Sequence, residues 1–273
     1  MRVYIATRRR PDLVERCVAS INGRWPVTVT ASLEEDVPSS VRSRSEVDVQ
    51  MLTPEEDSSN WAARWRQGED AIERQLDWWV VSDDDAVYPD DRDSVALMGK
   101  ALMDHQQLGA VTRKSAWPPR NWLNGNEETG ITLDGKLGIS WAHALGPYIE
   151  AGGFDRHLPR IGDYDMGLRL KVCGWEIGEV RSAIVYHKNY NEGGISSREG
   201  AADTREARER AAWDYRVHAG RRIAEKYPEG IFQVRSDGFL RVADRRALKA
   251  LREDYQAGKV RVTADKVEYV DPA

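Results

Sequence analysis

The chain has 273 residues, enough to bury a substantial core in one large α/β domain with an appendage or in two small domains. A formal charge of −5 and a pI near 5.7 give no general polyanion-binding signature. Cys17 and Cys173 lack metal-ligand spacing, and no apolar run approaches the roughly 18 residues that span a bilayer, so the expectation is a reduced, soluble, cytoplasmic protein with no membrane partner.

Arg2 to Thr7 reads as a β-strand. Pro11 opens a helix whose apolar positions Leu13, Val14, Cys17, Val18 and Ile21 recur at helical spacing until Gly23 stops it. Val27 to Ala31 and Val47 to Leu52 read as the next strands, with Glu34, Glu35 and Asp36 in a polar stretch between them. Asn60 is placed to cap a helix from about Trp61 to Leu76. The apolar run Trp78-Trp79-Val80-Val81 is a buried strand, and Asp83, Asp84 and Asp85 follow it directly. A strand ending in carboxylates delivers charge to the carboxyl edge of a parallel sheet, where open α/β folds bind ligands, and two such carboxylates hold a divalent ion against a diphosphate. A solvated acidic turn is the alternative for the triplet.

Asp93 to Gln107 reads as a helix and Gly109 to Thr112 as a strand, and the alternation predicts a mostly parallel, doubly wound sheet. Thr112 to Thr129 is loop-like and carries Lys114, Trp117, Arg120 and Trp122, which suit either a binding lid or packing under a proline-rich loop. Asp163 starts a helix, where orphan amides and the helix dipole favour a carboxylate. A long helix then runs from Thr204 to Tyr227, followed by a hairpin over Phe232 to Val242, a helix capped by Asp244 and a last hairpin over Val260 to Val270. From residue 198 onward 17 Lys+Arg face 14 Asp+Glu, against 23 and 31 in the rest of the chain, so the tail is basic relative to the body.

Taken together, a strand ending in Asp83-x-Asp85, the turn Gly152-Gly153-Phe154-Asp155, the helix start Gly162-Asp163-Tyr164-Asp165, the turn Gly174-Trp175 and a downstream His187 form an ordered series. That series resembles the GT-A nucleotide-sugar glycosyltransferases, especially the family-2-like group, over roughly residues 1 to 198. The resemblance implies an α/β, Rossmann-like GT-A catalytic domain over 1–198, with C-terminal accessory helices and hairpins over 199–273. It implies a metal-dependent hexosyl transfer from a nucleoside-diphosphate sugar, a UDP-sugar being the expected donor, with Asp83, Asp85 and His187 holding Mn²⁺ or Mg²⁺. Asp163 matches the general base of the inverting members, although Gly162 stands where many of them carry Glu. Thr7, Arg8, Arg9, Asp83 and Asp84 would face the donor nucleotide and its phosphates, with Glu34 or Asp36 reading the base.

For the acceptor, the segment Lys188 to Arg198 and Arg205, Arg208, Arg210, Arg216, Arg221 and Arg222 join Lys114, Trp117, Arg120 and Trp122 in offering cations for phosphates and aromatics for stacking. The compact chain with such a tail resembles phage-type enzymes that glycosylate 5-hydroxymethylpyrimidines in DNA, which would place it in the host cytoplasm. A saccharide or surface-glycan acceptor is the competing reading. A non-catalytic sugar-nucleotide module and a nucleotidyltransferase are the more distant ones.

Overall fold

The computed structural model describes residues 1–57, 61–116, 131–132, 137–158, 161–187, 205–236 and 240–270. Strand β1 (Val3–Thr7) leads into α1 (Pro11–Ile21), whose Val14, Cys17, Val18 and Ile21 form one buried stripe. Proline at the first helical position and left-handed Asn22 at its end bound this helix, one residue ahead of the expected stop at Gly23. Then follow β2 (Val27–Ala31), a single turn α2 (Ser39–Arg42), β3 (Val47–Met51), α3 (Ala62–Glu73) and β4 (Trp78–Asp83). Next come β5 (Ala86–Val87), α4 (Ser94–Asp104), β6 (Leu108–Ala116), β7 (Ile131–Thr132), β8 (Ser140–Ala144), α5 (Leu145–Glu150), α6 (Gly162–Val172) and β9 (Glu176–His187).

The main sheet has the order β3-β2-β1-β4-β8-β6-β9-β5, with β7 also on β9. β3, β2, β1 and β4 are mutually parallel. β8 runs antiparallel to both β4 and β6, so β6, and β9 beside it, point the same way as β4. The sheet is therefore mostly parallel, and the carboxyl ends of β1, β4, β6 and β9 gather at one edge. One difference from expectation is that β6 continues to Ala116, and another is that α4 ends at Asp104. Asp93 caps α4 by accepting from the Ala96 amide.

Each face of the sheet buries its own core. On one side Val14, Cys17, Met98 and Val111 pack together. On the other, Trp79, Tyr148, Phe154, Met166 and Leu170 share a core, and the first three rings pack on a buried His143, which burial beside Arg169 keeps neutral, its pKa pushed down to about 3.

The C-terminal elements join this second core. Ala219 and Ile223 come from the long helix Arg205–Glu225, Leu240 from the hairpin Phe232–Val234/Leu240–Val242, Leu251 from the helix Arg245–Gln256, and Val260 and Val267 from the hairpin Val260–Val262/Val267–Tyr269. Gly152, at φ +79, shows how close the packing is: a Cβ there would lie 2.4 Å from the backbone of Thr263. Buried charges also cross the junction. Lys226 Nζ stands 2.9 Å from Asp155 Oδ2 and 2.9 Å from Asp165 Oδ2, and Arg169 Nη2 also reaches Asp165 at 2.9 Å. Among the described residues no helix is long and apolar enough to cross a membrane.

Candidate metal and donor site

β4 is buried along its apolar run and emerges at Asp83, after which Asp84 and Asp85 turn the chain into β5. β5 pairs with the end of β9 in the register Ala86↔His187, and this pairing sets the imidazole beside the acidic turn. Asp83, Asp85 and His187 each offer a ligand atom within 4.8 Å of the others. His187 Nε2 is 3.0 Å from Asp85 Oδ1, yet that buried oxygen accepts no hydrogen bond. Two carboxylates and an imidazole, with one orphaned buried oxygen, fit a hard divalent ion such as Mn²⁺ or Mg²⁺.

The middle aspartate points elsewhere. Asp84 accepts from Thr7 Oγ1 at 2.9 Å and pairs with Arg10 Nη1 at 3.0 Å. Burial outweighs Arg10 and pushes its pKa up to about 6. Thr7 and Asp84 thus tie β1 to β4 at the edge. Arg10 also reaches Asp85 Oδ2 at 3.4 Å.

Arg8 pairs with Asp57 at 3.0 Å and lies 3.4 Å from Ser32 Oγ. Left-handed Arg9 donates its amide to Asp36 Oδ1, and Leu33 donates to Asp36 Oδ2 at 3.2 Å. Asp36 is fully buried and engaged with this chain's own backbone, whereas Glu34 is exposed, 3.8 Å from Arg42. Thr7, Arg8, Arg9, Glu34 and Asp36 therefore line the β1 and β2 side of the same edge, and Asp36 fastens the two loops together.

Asp163 sits in the first turn of α6 without capping it. The cap position is Ile161, at φ +51, and no side chain closes the end. Gly162 is required by its neighbour, because a Cβ would come within 2.4 Å of the Trp61 ring. Asp163 is half-buried. Burial raises its pKa to about 6, backbone amides work against that, and the charge of Asp83 adds to it.

Two arginines absent from the sequence reading complete the site. Arg64 of α3 donates to Asp83 Oδ1 at 2.6 Å and to the Ser82 carbonyl at 2.8 Å. Arg113, 4% exposed, follows Thr112, whose β8 partner Trp141 is next to the Ser140 that pairs with Ser82. Its Nε and Nη2 are buried with no hydrogen-bond partner, and burial lowers its pKa. A cation closing the apolar run Leu108-Gly109-Ala110-Val111 was the available signal, the mirror image of the aspartates after β4. Asn60, Trp117, Arg120, Trp122 and the segment 188–198 lie outside the described residues, as do the side chains of Lys114, Arg205, Arg208 and Arg210. Of the remaining acceptor candidates, Arg222 is 3.7 Å from Asp155 and Arg221 is exposed.

No protein-family profile and no curated protein matches the sequence. Solved structures do. The mannosyltransferase PcManGT from Pyrobaculum calidifontis, in complex with GDP-Man and Mn²⁺, superposes with a TM-score of 0.55 at 18% identity, over 81% of this chain and 64% of that one. S. aureus TarS gives a TM-score of 0.52 at 12% identity, over 79% and 42%. GalNAc-T7 with UDP, GalNAc and Mn²⁺ gives 0.56 at 12%, over 96% and 55%. The chain thus spans between 42% and 64% of the length of these proteins. Its fold is the GT-A fold of nucleotide-sugar glycosyltransferases.

Proposed function

We propose that the chain is a metal-dependent glycosyltransferase that moves a sugar from a nucleoside-diphosphate sugar to an acceptor hydroxyl. The observation that carries this reading is the convergence of Asp83, Asp85 and His187 within 4.8 Å at the carboxyl edge of a GT-A sheet. Two of the similar structures contain Mn²⁺ with GDP-Man or UDP, which supports a nucleotide-linked donor, UDP-sugar being the first to test. A metal bound there would supply Lewis acidity for the departing nucleoside diphosphate. Asp83, Asp85 and His187 would hold it, and Arg64 fixes the Asp83 carboxylate from behind. Arg113 brings a buried cation with two nitrogens that meet no acceptor, suited to the negative charge that grows on the leaving phosphates. Asp163 takes the proton of the attacking hydroxyl, the role its position matches in the inverting glycosyltransferases that the sequence resembles, and we take the transfer to invert the anomeric centre. A product with the donor's anomeric configuration would overturn that stereochemistry.

The test of the donor site is calorimetry of a nucleotide and sugar-nucleotide panel, with and without Mn²⁺. One sugar nucleotide should bind in a metal-dependent manner, and Asp85→Asn should weaken it at least about tenfold. Metal-indifferent binding would remove the main support.

For the acceptor we favour the hydroxymethyl group of a modified pyrimidine in DNA, on the cationic residues that begin at Lys188. A saccharide is the second reading, favoured by Trp117 and Trp122, since indoles stack on sugars as well as on bases. Transfer to hydroxymethylated DNA, with binding that falls steeply as salt rises, is the expected result. Transfer to an oligosaccharide alone would select the second reading.

A further inference from the structure

The two residues that follow Asp163 are both held by the C-terminal extension. Tyr164 donates its hydroxyl to the Leu240 carbonyl at 3.0 Å, and Asp165 accepts from Lys226 Nζ at 2.9 Å. Lys226 is itself fixed on three sides. Its ammonium donates to the Ala264 carbonyl at 2.7 Å and stands 2.9 Å from Asp155 Oδ2, and its own carbonyl accepts from the Val267 amide at 2.7 Å.

This turn needs holding. Ile161 is β-branched and left-handed at φ +51, a conformation that persists only where the surroundings impose it, and no side chain caps the helix. On the near side the Trp61 ring presses on the turn at Gly162, and Arg169, one turn further along α6, pairs with Asp165 at 2.9 Å. The hydroxyl of Tyr164 and the second cation on Asp165 are met by residues beyond 225.

We infer that the C-terminal extension acts as the positioning element for Asp163, with Lys226 and the Leu240 carbonyl as its two points of attachment to the first turn of α6. The inference rests on the reading of Asp163 as the base. Lys226 touches no reacting atom; it acts through Asp165. Because the residues that would hold donor and metal lie on or just after β1, β4 and β9, loosening this attachment should leave donor binding alone and lower turnover.

The experiment uses the full-length chain as wild type, Tyr164→Phe, Lys226→Met and Lys226→Arg. Three quantities are measured: donor affinity in Mn²⁺, the rate of nucleoside-diphosphate release, and amide hydrogen exchange across residues 163–167. Lys226→Met should lower kcat about tenfold or more and Tyr164→Phe several-fold, with donor affinity within about twofold of wild type. Lys226→Arg, which keeps the charge, should recover part of the loss. Exchange in the α6 first turn should quicken in both loosened variants while β1 and β4 stay protected.

Wild-type turnover and unchanged exchange in folded Tyr164→Phe and Lys226→Met would overturn the inference, as would a loss confined to donor affinity. If Lys226→Met fails to fold, Tyr164→Phe, which removes one hydroxyl at a partly exposed position, decides alone. If the wild-type protein binds no sugar nucleotide, the glycosyltransferase reading fails by itself, and the exchange data still show whether the extension fixes the turn.

Discussion

Asp163 is the side chain whose ionisation should be visible in both rate and stability. Its folded pKa is about 6, against about 3.9 for a free aspartate. As a base it must be ionised, so turnover should fall about tenfold per pH unit below pH 6, and Asp163→Asn should cost about 10²-fold or more with donor affinity retained. Stability runs the other way. The folded state binds this proton more tightly than the unfolded state does, so the ionised carboxylate is destabilising above pH 6 and neutral in effect below about pH 4. Metal-free Asp163→Asn should therefore be more stable than wild type by about 1 kcal/mol at pH 8, a value reduced for partial exposure, with the advantage gone at pH 4 by thermal unfolding. Arg113 makes a parallel case. A buried guanidinium with two nitrogens that meet no acceptor is costly, so Arg113→Met should raise the metal-free melting temperature while weakening metal-dependent donor binding about tenfold. A lowered melting temperature would show that the arginine is neutralised in the free protein.

Among the elements, the turn at Gly152 is the most exposed to a single change. Its positive φ and the Thr263 backbone leave no room for a methyl group, so Gly152→Ala should cost about 2–4 kcal/mol in denaturant unfolding. Elements of this kind differ in how openly the sequence announces them. β4 and α1 are legible because one is an unbroken apolar run and the other a periodic stripe behind a proline. β8 is not: Ser140-Trp141-Ala142-His143-Ala144 is buried on both faces, so no alternation survives, and a polar member such as Ser140 finds its partner, the Tyr88 hydroxyl at 2.9 Å, only in the tertiary fold. The same holds for the site. Asp83 and Asp85 show themselves by following an apolar strand. His187 gains its place through the β5–β9 register, which no local pattern encodes, and so it entered only through family resemblance. Asp36 reads as a candidate base contact and turns out to be buried against two backbone amides, a use that depends on Arg9 folding back in the left-handed region.

At the scale of the whole molecule, the basic tail is continuous with the body's interior. Ala219, Ile223, Leu251 and Val260 share a core with Trp79, Phe154 and Leu170, and Lys226 joins Asp155 to Asp165 across the same boundary. Calorimetric unfolding of the full chain should accordingly show one cooperative transition; two resolved transitions would mean that the extension folds as a separate unit. Bound Mn²⁺ and donor should move that single transition upward together, since a ligand that binds only the native state stabilises everything coupled to it.

The two cysteines divide between the two cores. Cys17 lies under the acidic edge, 3.6 Å from the Asp83 carbonyl, and Cys173 lies on the opposite face near the Glu150 carbonyl. Both are free and buried, and burial raises both thiol pKa values, so neither is reactive in the closed protein. The native chain therefore carries two clocks, one per layer, that advance only when the layer above them opens. Alkylation mapped to each thiol would time the loosening of the metal edge and of the α6 side independently, without introducing a label.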